Sequence, residues 1–488
     1  MGKKLRTRTV LRRSAPALAA AVAVVLTASG LAWAGAAVAS RGPSAGRPGT
    51  RPATERPGDL ARYADTSADA YQAAFEAYVW GAPLVAMSRT RARLICIAPV
   101  NRLLNVPRLS TPADRTVVAP NVDTLYSTAW LDLRSGPVTL DVPAMPDRYY
   151  VFQLLDMYTN TFANLGTRTT GRGAGRFAIV GPGWHGTVPA GTRVLRSPTP
   201  DVWLLGRTLV RGPDDVPNVV AVQRRYVLTP PVPPTPTPPA DCVNLKSPQD
   251  LLSDGGVAFL DELGRVMAAD PPPARDRALV RRLARAGIGA GRTPSTGTDP
   301  DVVDGLTRGL AAGQAFVARQ ASVAQAPVGG WTTNRDIGTY DVRYVTRAVV
   351  ARNGLAANVP EESVYYRAAQ DAAGTRLDGN ARYRIHFAPG QLPPVGDLGF
   401  WSITMYDQTF FLVDNPIDRY AVGDRTPGLV RNADGSLDVY VGNAPPAGHE
   451  SNWLPAPATP FTLAMRVYLP TAAVLNQTWK PPTIVREG

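Results

Sequence analysis

The densest group of polar and aromatic side chains in the sequence is the octapeptide Pro120-Asn121-Val122-Asp123-Thr124-Leu125-Tyr126-Ser127. The amide of Asn121 and the carboxylate of Asp123 can hydrogen-bond a polar ligand, while the ring of Tyr126 provides a stacking face. At the start of a strand, however, Asn and Asp more often form an Asx turn, in which the side chain bonds nearby backbone. The residues support both interpretations.

A second polar group begins at Asp156, at the end of an apolar strand-like run, and continues through Tyr158 and Thr159 to Asn160. Glycoside hydrolases use two carboxylates that flank the scissile bond. Asp123 and Asp156 are the candidate pair in this chain, with Asn160 and Arg168 as candidate ligand contacts. Whether the two carboxylates face each other depends on the tertiary structure.

Aromatic and cationic side chains recur near the carboxy terminus. The candidate ligand contacts there are Trp401, Tyr406, Asn415, Arg419 and Trp453. Buried aromatics of a β-sandwich core are the default explanation for such residues. An exposed Trp and Tyr platform flanked by Arg would instead suit a sugar or an aromatic ligand.

Neither half of the chain holds a full set of acid, base and aromatic platform, which favours a site between two domains, where pockets are common. The stretch Pro230–Pro239 has seven prolines in ten residues and forms a stiff linker that limits the domain orientations. The alternative is that both clusters are independent core and turn features, and the residues are equally compatible with it.

Most sequence motifs of catalysis and metal binding are absent. The chain has no G-x-S-x-G, H-E-x-x-H, P-loop or paired C-x-x-C motif, and its three histidines are His185, His386 and His449. A zinc site built on these histidines would need both domains at once. The glycines at 171, 173 and 175 precede a strand-like run, whereas those of a dinucleotide fingerprint open a helix. We therefore expect no cofactor and no metal.

The amino terminus has the features of an export signal. Six basic residues precede an apolar run from Ala15 to Trp33, and Ala37-Val38-Ala39 offers a cleavage site. We predict a signal peptide over 1–39 and a secreted or otherwise extracytoplasmic protein. An uncleaved membrane anchor is the alternative, because the run is nearly long enough to span a bilayer. Arg12-Arg13 leaves the twin-arginine route open beside the general secretory route.

The net charge does not indicate a nucleic-acid partner. The formal charge is +13, and removal of the six basic residues of the signal leaves +7. The arginines are scattered and form no stripe interleaved with aromatics. We expect no nucleic-acid partner and no stable membrane span after cleavage of the signal peptide. We do expect a weak attraction of the mature chain to anionic polymers of the cell envelope. The composition leaves the oligomeric state open.

The sequence contains two cysteines, Cys96 and Cys242. In an exported protein such a pair is more often bridged than free. The bridge would stabilise the fold by roughly 4–5 kcal/mol in the chain-entropy description. The alternative is a buried core thiol, because Cys96 lies in the apolar run Leu94-Ile95-Cys96-Ile97.

The hydrophobic pattern predicts a mainly β protein with a helical insert. A helix begins near Asp65 and is interrupted by Gly81 and Pro83. The strands that predict an amino-terminal β-sandwich are Leu125–Leu133, Val138–Val142, Arg148–Leu155, Arg176–Val180 and Val202–Val210. Three helices follow the linker, one opened by Ser247 and Pro248, the others over Arg275–Ala286 and Asp301–Ala321. The strands of the second β domain are Arg382–Phe387, Phe400–Tyr406, Leu437–Val441 and Phe461–Tyr468.

These elements predict six segments along the chain. They are a signal peptide (1–39), a disordered leader (40–60), a helix plus β-sandwich domain (61–229), a Pro-rich linker (230–240), a helical segment (241–330) and a carboxy-terminal β domain (331–488).

Several motifs carry a resemblance to a known pair of domains. The region with Pro120 to Ser127, Arg148-Tyr149-Tyr150 and Gly181-Pro182-Gly183-Trp184 resembles the domain of unknown function numbered twelve fifty-four. The region with Phe400-Trp401-Ser402 and Trp453-Leu454-Pro455-Ala456-Pro457 is similar to its usual companion, numbered twelve fourteen.

The resemblance implies an immunoglobulin-like β-sandwich, a helical insert and a jelly-roll-like carboxy-terminal domain, and it implies no established reaction. The Pro-rich linker and both cysteines depart from the pattern of these domains.

Taken together, the export signal and the polar and aromatic clusters predict an exported protein that binds a polar or carbohydrate-like ligand, such as a glycan, at the cell envelope. The alternative is a secreted hydrolase that uses Asp123 and Asp156.

Overall fold

The computed structural model describes residues 57–115, 119–234, 242, 245–248, 250–252, 256–322 and 326–487, with the side chains of 57–67 left out. The predicted signal peptide, residues 40–56 of the predicted leader and residues 235–240 of the predicted linker lie outside the described residues. Among the described residues, no helix combines the length and the apolar character needed to cross a bilayer.

The first helix, α1 (Pro57–Ile95), is continuous through Gly81 and Pro83, so the predicted interruption there is wrong. Its middle turns are buried, because side chains such as Trp80 and Leu84 pack into a large core. This burial outweighs the hydrogen bond lost at the proline. Gly81 allows close packing, since a Cβ atom there would lie 2.7 Å from the side chain of Leu263.

The amino-terminal domain is a β-sandwich of two sheets. Its strands are β1 (Leu104–Asn105), β2 (Thr124–Asp132), β3 (Val138–Val142), β4 (Tyr150–Asp156), β5 (Thr161–Gly166), β6 (Gly175–Val180), β7 (Thr192–Arg196), β8 (Asp201–Leu209) and β9 (Val227–Thr229). The sheet orders are β1-β2-β8-β4-β5 and β7-β6-β3-β9. All five predicted strands are confirmed within two residues. The prediction did not include β1, β5, β7 and β9, of which β7 and β9 are short, largely exposed edge strands.

Helices pack against both ends of the first sheet. They are α2 (Val216–Gln223), α3 (Ala258–Ala269), α4 (Arg277–Arg285), α5 (Pro300–Ser322) and α6 (Tyr344–Gly354). The helices predicted near α4 and α5 are confirmed, and α6 is a helix where the prediction had placed the second β domain. Helices α1, α3 and α5 share one core with the stacked rings of Trp130 and Trp203 on the first sheet.

The predicted helix start at Ser247 and Pro248 is wrong, because α3 begins at Ala258. The buried guanidinium of Arg89 on α1 donates hydrogen bonds of 2.9 Å to the carbonyls of Ser247 and Asp250. Carbonyls held by this side chain satisfy their hydrogen-bonding capacity outside a helix.

The carboxy-terminal domain is a second two-sheet sandwich. Its strands are β10 (Thr332–Thr333), β11 (Ser363–Ala368), β12 (Arg382–Phe387), β13 (Val395–Asp407), β14 (Ala421–Gly423), β15 (Leu437–Gly442), β16 (Trp453–Pro455), β17 (Phe461–Pro470) and β18 (Ile484–Glu487), with the one-turn helix α7 (Ala472–Leu475). The sheet orders are β10-β11-β17-β13-β14 and β16-β15-β12-β18. The four predicted strands are confirmed. The jelly-roll character implied by the resemblance stays a prediction.

The two sandwiches meet sheet to sheet beside the helices. Tyr149, Val151 and Leu209 of the first sheet pack against Phe400 and Tyr468 of the β13–β17 sheet in a small buried cluster. One face of the first sheet packs against the second sheet of the same sandwich. Its other face contacts helices at one end and the carboxy-terminal domain at the other. This arrangement leaves room for a cavity where the three meet.

Candidate functional site

A cavity of about 640 Å³ lies between the two domains and helix α6. The first sheet contributes Tyr126 and Arg207 to its wall, and the second domain contributes Tyr365, Arg367 and Arg466. Among the lining residues, Pro327, Asp336, Ala369 and Gln408 are exposed, which places the opening on their side. The volume lies within the range of small-molecule sites in proteins.

Arg207 lies on β8, directly opposite Tyr126 of β2. Its guanidinium donates hydrogen bonds of 2.9 Å to the amide oxygens of Gln153 and Asn358, and one of 2.8 Å to the carbonyl of Ala356. It also lies 5.7 Å from the centre of the Tyr126 ring. These partners are neutral, so the positive charge of this buried side chain is not compensated by them.

Arg466 lies in the middle of β17 and is 5 % exposed. Its guanidinium donates hydrogen bonds to the hydroxyl groups of Thr404 at 2.8 Å and Tyr406 at 2.7 Å, and to the carbonyl of Ala119 at 3.1 Å. All three partners are neutral. The negative charge of Asp123 acts on Arg466, but that carboxylate is itself paired with Arg425.

Arg367 lies on β11, opposite Ala464 of β17, on the face that lines the cavity. Its guanidinium forms no hydrogen bond and no ion pair with any residue in the described ranges; its contact is the face of the Phe410 ring, 5.5 Å away. Burial lowers the pKa of Arg367, and the positive charge of Arg466 lowers it further. A guanidinium with free donors thus faces the cavity.

The rest of the wall combines apolar and uncharged polar side chains with charged ones, of which Arg376 donates a hydrogen bond to Gln408 and Asp336 pairs with Arg343. Val345, Val349 and Phe410 provide apolar surface. At the rim, Arg108 and Asp114 form a bidentate pair with both distances 2.6 Å, and this hydrogen bonding lowers the pKa of Asp114. No group of three or more His, Cys, Asp or Glu side chains suited to a metal ion occurs within the described ranges.

The amino-terminal site candidates divide between the cavity and the domain interface. Asn121 and Tyr126 line the cavity, and the amide of Asn121 donates a 2.7 Å hydrogen bond to the hydroxyl of Tyr468. The side-chain oxygen of Asn121 also accepts a hydrogen bond from the backbone N–H of Asp123, which is the Asx turn. Asp123 accepts hydrogen bonds from Ser402 and Arg425 of the second domain, so it joins the two domains.

Asp156, Asn160 and Arg168 also have structural partners. Asp156 accepts hydrogen bonds from the backbone N–H groups of Tyr158 and Asn160 and from the Asn160 amide, which is a buried turn. Burial raises the pKa of Asp156, while the hydrogen bonds from Asn160 oppose this shift. Arg168 donates a 2.7 Å hydrogen bond to Glu362 of the second domain. None of the three lines the cavity.

The carboxy-terminal candidates lie outside the cavity wall. Trp401 belongs to the core between the two sheets of the second domain. Tyr406 is on the opposite face of the same strand, behind Arg466, and donates a 2.7 Å hydrogen bond to the carbonyl of Pro120. Tyr126 lines the cavity and Tyr406 does not, so the two tyrosines share no cavity wall, although Tyr406 contacts the first domain at Pro120.

Asn415, Arg419 and Trp453 order loops of the second domain. Asn415 accepts a hydrogen bond from the backbone N–H of Arg419 in a turn. Arg419 donates hydrogen bonds to the backbone carbonyls of Glu450, Ser451 and Trp453. The indole N–H of Trp453 donates one to the carbonyl of Gly442.

The motifs and polar clusters of the sequence do not single out Arg207, Arg367 and Arg466 as site residues. Each is the one charged residue in a run of strand residues that is otherwise apolar or uncharged: Val202–Leu209, Ser363–Ala368 and Phe461–Pro470. Charged side chains are rarely buried unless they are paired. A lone Arg inside such a strand therefore indicates a candidate binding residue.

The predicted disulfide is present: Cys96 and Cys242 are bonded, with 5.7 Å between their Cα atoms. It ties the end of α1 to the segment that follows the linker. The described ranges contain no free cysteine.

Comparison with protein families agrees with the resemblance seen in the sequence. The family described as "Protein of unknown function (DUF1254)" matches residues 100–230. The family described as "Protein of unknown function (DUF1214)" matches residues 362–472. The chain carries both domains. The first match covers the amino-terminal β-sandwich, and the second covers β11 to β17, which contain Arg367 and Arg466.

Two solved structures are similar to this two-domain protein. The VPA0106 protein from Vibrio parahaemolyticus is 22 % identical with a TM-score of 0.65, over 86 % of this chain and 100 % of that chain, which supports the fold. An uncharacterised protein from Burkholderia cenocepacia is 14 % identical with a TM-score of 0.43, over 88 % of this chain and 95 % of that chain. No curated protein matches the sequence.

Proposed function

We propose that this exported protein binds a small polar organic molecule in the cavity between its two domains. The observation that supports the proposal best is the cavity itself, about 640 Å³ in volume and lined by both domains and by α6. Its wall combines apolar side chains with a few polar groups that converge on one space, as small-molecule sites commonly do.

The hydrolase alternative has little support in the geometry. Neither Asp123 nor Asp156 lines the cavity, and both are buried with their oxygens in hydrogen bonds to protein groups. The cavity carboxylates Asp114 and Asp336 are paired with Arg108 and Arg343, and burial raises the pKa of Tyr468 far above its ordinary range. General acid–base chemistry needs a group that exchanges protons near the working pH. The lining therefore favours binding over hydrolysis.

A location at the cell envelope is part of the same proposal. A disulfide of this kind persists in oxidising compartments, and the bond between Cys96 and Cys242 supports export. The predicted signal at residues 1–39 points the same way. A polar ligand from the envelope or from the medium would reach the cavity without crossing the membrane.

Thermal unfolding of the chain without residues 1–39, in the presence of a panel of sugars, amino acids, organic acids and aromatic compounds, tests the proposal. We expect at least one compound to raise the Tm by several degrees, because binding to the folded state stabilises it. The substitution Val349→Trp, which adds an indole to the cavity wall, should abolish the shift.

The matched control is Val485→Trp, at a position that is 44 % exposed on the outer sheet of the second domain. This variant should respond to the compound like the unmodified chain. The proposal is wrong if no compound stabilises the protein, or if Val349→Trp responds as strongly as Val485→Trp.

A further inference from the structure

We infer that the ligand of this cavity is an organic acid, whose carboxylate or phosphate group lies between Arg367 and Arg466. The inference rests on the proposed function and specifies the class of ligand. It follows from an excess of positive charge on the cavity wall, part of which has no carboxylate partner among the described residues.

Five arginines line the cavity. Arg108 is paired with Asp114 at the rim, and the exposed Arg376 donates a hydrogen bond to Gln408. The other three, Arg207, Arg367 and Arg466, form no ion pair with a carboxylate of the described residues. Arg207 and Arg466 are 6 % and 5 % exposed. Burying a charge is costly unless it is paired, so folded proteins rarely leave several like charges unpaired around one space. An anion bound in the cavity would supply the missing partner.

The register of the sheet places two of these arginines side by side. Arg367 is opposite Ala464 and Arg466 is two residues further along the same strand, so both point to the same face. Side chains at such diagonal positions are roughly 7–8 Å apart at the backbone, within reach of long side chains. Two guanidinium groups at this spacing can donate hydrogen bonds to one oxyanion, a contact that they form particularly well.

The free donors belong mainly to Arg367. Arg207 and Arg466 donate to neutral protein groups that hold them in place, whereas the guanidinium of Arg367 has no hydrogen-bond partner among the described residues. Its flat face lies against Phe410, 5.5 Å from the ring centre, which leaves the edge of the guanidinium for a ligand. Val345 and Val349 of α6 also line the cavity and would contact the apolar part of the acid.

Isothermal titration of the protein with benzoate, phenyl phosphate and benzamide tests the inference. Benzamide has nearly the shape of benzoate but no charge. We expect benzoate or phenyl phosphate to bind at least tenfold more tightly than benzamide, and the tighter of the two acids identifies the preferred head group. The substitution Arg367→Met should remove this tenfold preference, and Arg367→Lys should retain part of it.

Arg265→Met is the matched control, since this arginine is exposed on α3 away from the cavity. It should leave all three affinities unchanged. Arg367→Met should leave the Tm of the ligand-free protein unchanged or raise it, because an unpaired charge is removed. A role in folding alone would instead lower that Tm.

The outcomes separate the two proposals. The inference is overturned if neither benzoate nor phenyl phosphate binds more tightly than benzamide, or if none of the three probes binds. Suppose that a neutral compound of the thermal panel raises the Tm of the unmodified protein but not that of Val349→Trp. The proposed function then stands without the inference of an acidic ligand. Retention of the tenfold preference in Arg367→Met also overturns the inference.

Discussion

The carboxylate of Asp123 and the guanidinium of Arg425 form an ion pair of 2.8 Å across the interface between the two domains. Their side chains are 5 % and 19 % exposed, and Asp123 also accepts a 2.7 Å hydrogen bond from Ser402. Arg425 in turn donates a hydrogen bond to the carbonyl of Val210 in the first domain. The residue that the sequence presented as a candidate catalytic acid thus joins the two domains next to the cavity.

The substitution Asp123→Asn should destabilise the protein by about 3 kcal/mol, because it removes the charge of one partner of a buried ion pair. Arg425 then keeps only its longer pair with Asp424, at 3.3 Å. The midpoint of denaturant unfolding measures the change. Asp397→Asn is the matched control: it breaks an exposed pair with Arg172, also between the domains, with side chains that are 76 % and 45 % exposed. This control substitution should lower the free energy of unfolding by less than about 1 kcal/mol. Equal midpoints for the two variants would contradict the prediction.

Removal of the disulfide should lower the free energy of unfolding by about 4–5 kcal/mol, because the bond closes a loop of 146 residues in the unfolded chain. The double variant Cys96→Ser with Cys242→Ser, compared with the oxidised protein by denaturant unfolding, measures the loss. Thiol titration of the unfolded, unreduced protein should find no free thiol. Two reactive thiols per chain would show that the bond does not form.

The stability should depend on pH through Asp270. Burial, followed by the negative charge of Asp201, raises the pKa of this carboxyl to about 7. The unfolded chain has an ordinary carboxyl pKa near 3.9. Between about pH 4 and pH 7 the folded state therefore binds more protons, so this group's contribution to stability falls as the pH rises, by at most about 1.4 kcal/mol per pH unit.

Unfolding midpoints between about pH 5 and pH 8 measure this dependence, and Asp270→Asn should flatten it. Asp304→Asn, whose side chain is 61 % exposed on α5, is the control and should leave the pH profile unchanged. A profile in Asp270→Asn identical to that of the unmodified protein would show that another group titrates.

Gly309→Ala should destabilise the protein, although alanine favours a helix by about 1 kcal/mol relative to glycine. A Cβ atom at this position of α5 would lie 2.2 Å from the backbone oxygen of Tyr71 and 2.9 Å from Cβ of Ala74 on α1. The two helices would have to move apart, and such overpacking costs about 1–3 kcal/mol.

The control on the same helix is Ala311→Gly, at an exposed position, which should cost about 1 kcal/mol from helix propensity alone. Thermal unfolding of both variants gives the comparison. If Gly309→Ala is more stable than the unmodified protein, the close approach of α1 and α5 does not limit this position.

Strand positions could be predicted well where one face of a strand is buried. In Arg382–Phe387 the apolar side chains alternate, and the residues Tyr383, Ile385 and Phe387 are all buried in the sandwich core. Helix α6 was missed because its sequence lacks a clear apolar face: Arg347, which is charged, is among its most buried residues. Its guanidinium donates a 2.7 Å hydrogen bond to the carbonyl of Trp80, a contact that no local pattern encodes.

The site was only partly predictable for a related reason. Trp401 and Tyr406 are close in sequence, yet they lie on opposite faces of β13, as their odd spacing along a strand requires. Asn121 and Tyr126 were selected for their chemistry and do line the cavity. For Arg367, the lack of a hydrogen-bond partner among the described residues is visible only when the neighbouring strands are in place.

The sequence by itself determined the mainly β architecture, the pairing of two known domains and the two cysteines that are bonded. These features depend on patterns within one segment or on the presence of a residue type. The tertiary structure alone decided that Asp123 joins the domains and that Arg207, Arg367 and Arg466 surround one cavity. A period of two along a strand specifies which side chains leave the sheet on the same face, but the partner that meets that face comes from residues distant in sequence. The unpaired positive charge of the cavity is therefore a property of the packed domains, and no single segment contains it.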